Sequence, residues 1–288
     1  MKTAWYHIIA LLIVIVWGTT FVSTKVLLHH GLSPKDIFFY RFLLAYICIC
    51  FFGQKKLLAD NIMDEFLFML IGITGGSLYF IAENTALEIT LASNVALLVC
   101  IAPIFTILLS RLFLKSEKLN RYLWQGSLLA LTGVALVAFN GRFILQINSL
   151  GDALCLLAAL SWAIYTILLK RLGERYSTLF ITRKVFFYGV LTLLPLFLHK
   201  PLNRNMEILM QPVVLGNLLY LCIVASLLCY FLWNTVVKKL GAVRTSNYIY
   251  IVPLVTLLTS AIVIDEPVTL IAVAGALLIL TGVALAER

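Results

Sequence analysis

Lys25, Arg41 and Glu83 stand inside long apolar stretches of the 288-residue chain. A charged group at the centre of a membrane helix costs roughly 2.5–3.5 kcal/mol on insertion scales, so such a residue has a partner or a function. Glu83 has two roles open to it besides pairing with either base to close a gate. It can bind a substrate ammonium group, or release and recapture a proton. Desolvation and a neighbouring cation act on a carboxyl group in opposite senses, so proton exchange is chemically open as well. For Lys25 and Arg41 the competing reading is that long stems carry their charged heads to the membrane interface. The same holds for Lys170 and Arg183, which no intramembrane acid of the second half faces.

A second constellation is aromatic and amide. Tyr79 and Glu83 are four apart, as are Tyr230 and Asn234. Trp162 and Tyr165 are three apart, as are Asn247 and Tyr250. Each pair shares a helix face. With Trp17 and Asn84, these residues have the types that stack planar groups and hydrogen-bond polar ones in a cavity. Aromatic residues also mark membrane interfaces, and Asn joins helices by hydrogen bonds, so both readings stand. Pro103 and Pro253 fall mid-helix, where each removes a backbone donor and kinks the chain, as bending elements would. Gly75, Gly76, Gly126, Gly133, Gly275 and Gly282 permit close helix contact.

The elements that position these residues follow from composition. The chain is 62% hydrophobic and 12% charged, with a mean hydropathy of +1.03, far from soluble usage. Continuous apolar runs predict spans at 7–28, 36–53, 65–87, 91–112, 121–139, 151–171, 183–199, 213–236, 243–264 and 268–286, with no room for a soluble domain. The fold class is an all-α, multi-pass membrane protein of the bacterial inner (plasma) membrane, with the lipid bilayer as its surroundings. A start resembling a signal peptide is read as a retained first helix, because Trp17 and Lys25 follow and no Ala-x-Ala site does.

With the N-terminus inside, sixteen basic residues fall on the cytoplasmic side, among them Lys55, Lys115, Lys118, Arg175, Lys184 and Lys238. Lys35, Arg142, Lys200 and Arg204 fall on the other, which places both termini in the cytoplasm. The net charge of +9 is thus topological, and no compact basic domain exists to hold nucleic acid. The six cysteines lie in apolar runs without a Cys-x-x-Cys pair and read as small buried hydrophobes. The histidines sit at the ends of runs. No metal or other cofactor is assigned.

Residues 126–136 read GSLLALTGVAL and residues 275–285 read GALLILTGVAL, nine matches in eleven. Near the same offset, Glu117 aligns with Glu266, Asn84-Thr85 with Asn234-Thr235 and Pro103 with Pro253. Trp17 and Lys25 have the spacing of Trp162 and Lys170. The chain is read as two copies, 1–142 and 143–288. Five spans leave the chain on the side opposite to its entry, so the copies are inverted, an arrangement suited to alternating access.

At Trp17-Gly18, Glu83-Asn84-Thr85-Ala86-Leu87, Ala92-Ser93-Asn94, Pro103, Leu114 with Glu117, and the LTGVAL ends, the sequence resembles the EamA-type transporters of the drug/metabolite transporter superfamily. The second copy repeats much of this with Ser161-Trp162, Leu240-Gly241-Ala242, Pro253, Asp265-Glu266-Pro267 and Gly282. It departs in placing Trp233 at the Glu83 equivalent. The resemblance implies ten helices, cytoplasmic termini, and a central cavity lined mainly by helices one, three, four, six, eight and nine. It also implies export of amino acids, related metabolites or drug-like compounds.

The expected function is secondary export of a small-molecule substrate by alternating access, with proton exchange as a candidate drive. Multidrug or nucleotide-sugar carriage is the alternative, and a carrier of anions would depend on Lys25, Lys170 or Arg41. A non-transporting receptor and a membrane-embedded enzyme are rivals of other classes. No Walker A, His-Glu-x-x-His or Gly-x-Ser-x-Gly motif is present. The sequence leaves the oligomeric state open.

Overall fold

A computed structural model of the chain describes residues 2–52, 56–89, 92–114, 121–139, 149–198, 201–263 and 269–286. Among these there is helix but no strand. Glu117, Glu266, Asp265, Pro267, Lys55, Lys115, Lys118, Arg142, Lys200 and the 142/143 boundary lie outside the described residues, as do the side chains of Ser93 and Asn94.

The helical segments in chain order are α1 (Lys2–His29), α2 (Pro34–Phe51), α3 (Ile62–Ile89), α4 in two pieces (Ala92–Val99 and Ala102–Phe113) and α5 (Arg121–Phe139). There follow α6 (Ser149–Gly173), α7 (Thr178–Leu193, prolonged by a 3-10 turn to Phe197), α8 (Pro212–Leu240), α9 (pieces between Ala242 and Val263) and α10 (Leu270–Ala286). A single turn, Met206–Leu209, precedes α8. Among the described residues, five segments are long and apolar enough to cross a bilayer: Ala4–His29, Ile62–Ile89, Ser149–Gly173, Thr178–Phe197 and Pro212–Leu240.

Local chemistry sets the ends. Ser33 caps α2 in a reciprocal box with Asp36, and Pro34 supplies the first helical residue, whose N–H would otherwise be orphaned. Asn61 and Ser177 cap α3 and α7. Gly241 turns the chain from α8 into α9 at φ +98°, a conformation that favours glycine. The expected seventh span began at Arg183, but α7 begins at Thr178 and buries Arg183 and Lys184 in its second turn. Lys184 is paired there with Glu65, and Arg183 donates to the Lys56 carbonyl, so neither charge has to reach for water.

Two irregularities recur at matching places in the halves. A π-helical stretch interrupts α3 at Ile73–Ser77 and α8 at Tyr220–Leu228. The helix breaks just before Pro103, at Cys100 and Ile101, and just before Pro253, in the 3-10 turn Tyr248–Ile251. Proline has no N–H to offer the carbonyl four residues earlier, which frees Val99 and Ile249 from the helical ladder. The second gap is partly filled: the Ile249 carbonyl accepts from the Cys100 thiol at 3.5 Å.

α5 and α10 pack antiparallel, glycine against backbone. A methyl group on Gly133 would lie 2.5 Å from the Gly275 carbonyl oxygen, and one on Gly275 2.7 Å from that of Gly133. Gly126 and Gly282 face each other in the same way. Near the chain ends, Ile107, Leu123, Val243 and Ala286 form one apolar cluster, which marks the terminal face of the bundle. Leu27, Leu32, Ile37, Val214, Leu218, Leu221 and Ala225 form another at the opposite face.

Candidate functional site

The seams on the two faces differ in chemistry. At the terminal face Asp64, buried at the start of α3, takes Arg175 at 2.6 Å and the Tyr176 hydroxyl at 2.7 Å. Glu65 accepts from Lys184 and from Tyr188. Outside the spanning segments, Lys56 holds the carboxyl of exposed Asp60 below its usual range by direct hydrogen bonding. The opposite face is joined by hydrogen bonds without a cation–carboxylate pair among the described residues: Tyr40 donates to the Asn203 carbonyl at 2.6 Å, the Asn203 N–H donates to the Asp36 carboxyl at 3.2 Å, and Ser23 bonds Asn217.

Between the seams lies a cavity of about 560 Å³, its open mouth included, within the range of small-molecule sites. Its first wall is Trp17, Thr20 and Phe21 of α1 with Arg41 of α2. Tyr79, Phe80 and Glu83 of α3 form the second, and Val99, Cys100 and Ala102 the third, at the α4 break. Trp162, Tyr230, Ile249 and Val252 come from the C-terminal half, the last two from the α9 break. The irregular backbone at these breaks thus adjoins the cavity, away from lipid, where a membrane protein tolerates it. Glu83 is six residues from the end of α3, about 9 Å along the helix.

The rings interlock. Trp17 meets Trp162 edge-on at 5.3 Å and Trp233 at 4.9 Å, and its indole N–H donates to the Ala225 carbonyl at 3.0 Å. Tyr79 lies 5.0 Å from Trp162. Tyr230 donates to the Gly75 carbonyl, within the π-helical stretch of α3, at 2.6 Å. The indole N–H groups of Trp162 and Trp233 are buried without a hydrogen-bond partner among the described residues.

Arg41 and Glu83 are 4% and 7% exposed and both line this cavity. They form no ion pair with each other; among the described residues the pairs are Lys56–Asp60, Arg175–Asp64 and Lys184–Glu65. Glu83 accepts instead from the Tyr79 hydroxyl at 2.8 Å. Arg41 donates through Nε to Ser226, and its guanidinium lies 4.4 Å from the Phe80 ring centroid. Snorkelling does not describe Arg41, because Ser226 and Phe80 hold its head inside the bundle. Half-buried Lys25 stands outside the cavity wall and makes no hydrogen bond or ion pair among the described residues, so the expected Lys25–Glu83 pair is not formed.

Of the sequence-predicted site residues, Trp17, Arg41, Tyr79, Glu83, Trp162 and Tyr230 come together. Others are elsewhere. Asn84 reaches the Pro34 carbonyl at 3.5 Å, tying α3 to the start of α2. The Tyr165 hydroxyl donates to Asn234, whose amide donates to Thr182 at 2.9 Å. Asn247 accepts from Ser127 at 3.4 Å, and Tyr250 is fully buried one turn on. Tyr165, Asn234, Asn247 and Tyr250 occupy the layer between cavity and terminal face. Tyr165 and Asn234 share helix faces with the lining residues Trp162 and Tyr230, but a turn of offset puts them against protein. Pro103 and Pro253 adjoin the lining without entering it. Lys170 donates to the Lys238 carbonyl at 3.4 Å. The cysteine reading fails at Cys50, which is exposed on the outward side of α2, and His7 is no bare interfacial residue, since its ring bonds the Tyr248 hydroxyl at 2.6 Å. Sequence reasoning missed Thr20, Phe21 and Phe80 as lining and Ser226 as the Arg41 partner; Phe80 and Ser226 carry no signal separable from helix packing.

A sequence model described as the EamA-like transporter family matches the chain twice, over residues 4–139 and 149–287. The chain belongs to the EamA-like transporter family. A Salmonella typhimurium protein named "probable amino-acid metabolite efflux pump" is 30% identical, covering 95% of this chain and 92% of its own length. A Streptantibioticus cattleyicolor protein named "probable terminal-alkyne amino-acid exporter" is 26% identical, covering 100% and 94%. One solved crystal structure superposes with a TM-score of 0.78 at 17% identity, covering 98% of this chain and 97% of its own, which establishes a shared fold. This EamA-family chain is therefore a multi-pass inner-membrane protein, a transporter by family, with a small-molecule cargo.

Proposed function

We propose that the chain exports amino acids or related small metabolites as a secondary transporter working by alternating access. In this reading all ten segments cross the bilayer, the terminal face is cytoplasmic, and residues 1–142 and 143–288 form two five-helix units of opposite orientation. The observation that carries it is a mid-bundle cavity to which both halves bring broken helices at matching positions, Cys100–Ala102 and Ile249–Val252. Two equivalent halves around one site can exchange conformations and expose it to either side.

Other observations support the same reading. Gly126 faces Gly282 as Gly275 faces Gly133, the reciprocal contacts of a pseudo-two-fold axis. The family model matches each half separately, and the basic-residue bias puts the terminal face inside. The relatives' names point to amino acids. Glu83, among the described residues the one acid that lines the cavity, is the group suited to proton exchange. The test is purified protein in liposomes with a panel of amino acids and metabolites, with and without a pH gradient. Movement of at least one amino acid is expected; no movement of any compound in either direction refutes the proposal.

A further inference from the structure

We infer that the cavity is built for zwitterions, with Arg41 and the Trp162 indole N–H receiving the carboxylate of a free α-amino acid and Glu83 its ammonium group. The aromatic walls then take a large apolar or aromatic side chain. This rests on the transport reading of the same cavity and narrows its substrate class.

Two opposite charges are buried in one cavity without touching. Unpaired buried charges are costly, and the cost falls when a partner of opposite sign arrives with good hydrogen-bond geometry. Only the Nε of Arg41 is engaged, by Ser226, and among the described residues its terminal fork has no partner. That fork is the group whose geometry matches a carboxylate, and its central carbon lies 4.4 Å from the Phe80 ring centroid. Glu83 accepts one bond, from Tyr79 on Oε1, and retains acceptor capacity that an ammonium group fills.

A third observation is independent of charge. The indole N–H of Trp162 is buried with no partner, although the residue lines the cavity at 4% exposure. An indole can only donate, so it asks the ligand for an acceptor. The remaining surface, from Trp17, Phe21, Tyr79 and Tyr230, is suited to a planar or bulky apolar group. A simple amine would leave Arg41 and Trp162 unsatisfied, and a simple carboxylate would leave Glu83. Multivalent phosphates would meet one cation and one repelling acid.

The test is calorimetric binding to the purified full-length chain with three probes: L-phenylalanine, phenethylamine, which lacks the carboxylate, and N-acetyl-L-phenylalanine, which lacks the ammonium. Wild-type protein should bind phenylalanine about ten- to a hundredfold more tightly than either analogue, the worth of one charge-assisted contact. Arg41→Gln should lower phenylalanine affinity to that of phenethylamine while leaving phenethylamine unchanged. Glu83→Gln should do the same relative to N-acetylphenylalanine. The wild-type comparison stands even if a variant fails to fold. An analogue binding as tightly as phenylalanine, or no binding by any probe, overturns the inference; if amino acids still move in liposomes, the transport reading survives. Movement of metabolites but of no amino acid overturns the inference alone, and no movement of any compound in either direction overturns both.

Discussion

The glycine contact between α5 and α10 allows the packing argument to be tested in numbers. In Gly133→Ala the new methyl would start 2.5 Å from the Gly275 carbonyl oxygen, against 3.4 Å for ordinary contact. The helices must therefore part by about 0.7–1 Å, and a gap of that size forfeits a quarter to a half of the dispersion attraction across the contact. Overpacking of this kind costs about 1–3 kcal/mol. Gly282→Ala, 2.6 Å from the Gly126 carbonyl, should cost the same to within about 0.5 kcal/mol if a two-fold axis relates the pairs. Gly216 in α8 is the control, since nothing lies within 4 Å of its added methyl. Gly216→Ala should be neutral or stabilising by up to about 1 kcal/mol through helix propensity. Equilibrium unfolding in mixed micelles measures all three. If Gly133→Ala is as stable as Gly216→Ala, the close antiparallel contact is wrong. If Gly133→Ala and Gly282→Ala differ by more than about 1 kcal/mol, the two-fold symmetry is wrong.

Three further outcomes are expected. Glu83→Gln should insert and fold but lose transport at least tenfold, or lose its dependence on a pH gradient; liposome flux with unchanged rate and pH dependence would remove Glu83 from the mechanism. Tyr165→Phe should destabilise by about 1–3 kcal/mol, because it leaves the Asn234 carbonyl oxygen buried without its donor; unaltered unfolding free energy would show that another group replaces it. A double-mutant cycle of Glu65→Gln and Lys184→Met should give a coupling of about 0.5–2 kcal/mol. That is less than for a fully buried pair, because the Glu65 side chain is 21% exposed. Additive effects would mean that the pair is incidental to the terminal-face seam.

Periodicity and hydropathy reach far into this fold because lipid leaves few alternatives: backbone polar groups must be satisfied within each span, so apolar runs become helices. Most boundaries follow. The start of α7 does not, because Lys184 and Arg183 find Glu65 and the Lys56 carbonyl from distant sequence. The duplicated prolines are legible as breaks; the matched π-helical stretches are not, since no residue type marks them. Within the site, residues that line the cavity and residues that seal it have the same chemistry. Trp162 and Tyr165 share one face of α6, yet Trp162 borders the cavity while Tyr165 fills the space over Gly75. Only the rotation and neighbours of each helix decide between them, and those are tertiary facts.

The asymmetry at Glu83 then acquires a mechanical meaning. Its counterpart in the second half is Trp233, a buried ring 4.9 Å from Trp17, and among the described residues the two charged groups lining the cavity, Arg41 and Glu83, both belong to the first half. The second half contributes Trp162, Tyr230, Ile249 and Val252, which offer rings, alkyl surface and a hydroxyl but no charge. In the alternating-access cycle proposed above, the halves would move against each other. A ligand held by charge on one half can keep its ionic contacts while the apolar wall of the other slides past it. Had each half held one charge, rocking would pull the anchors apart and the ligand would lose an ion contact of about 1.5–3 kcal/mol in mid-transit. In that proposed cycle, confining both charges to one half would keep the bound state similar in energy on the two sides, which a carrier needs if release is not to become its slowest step.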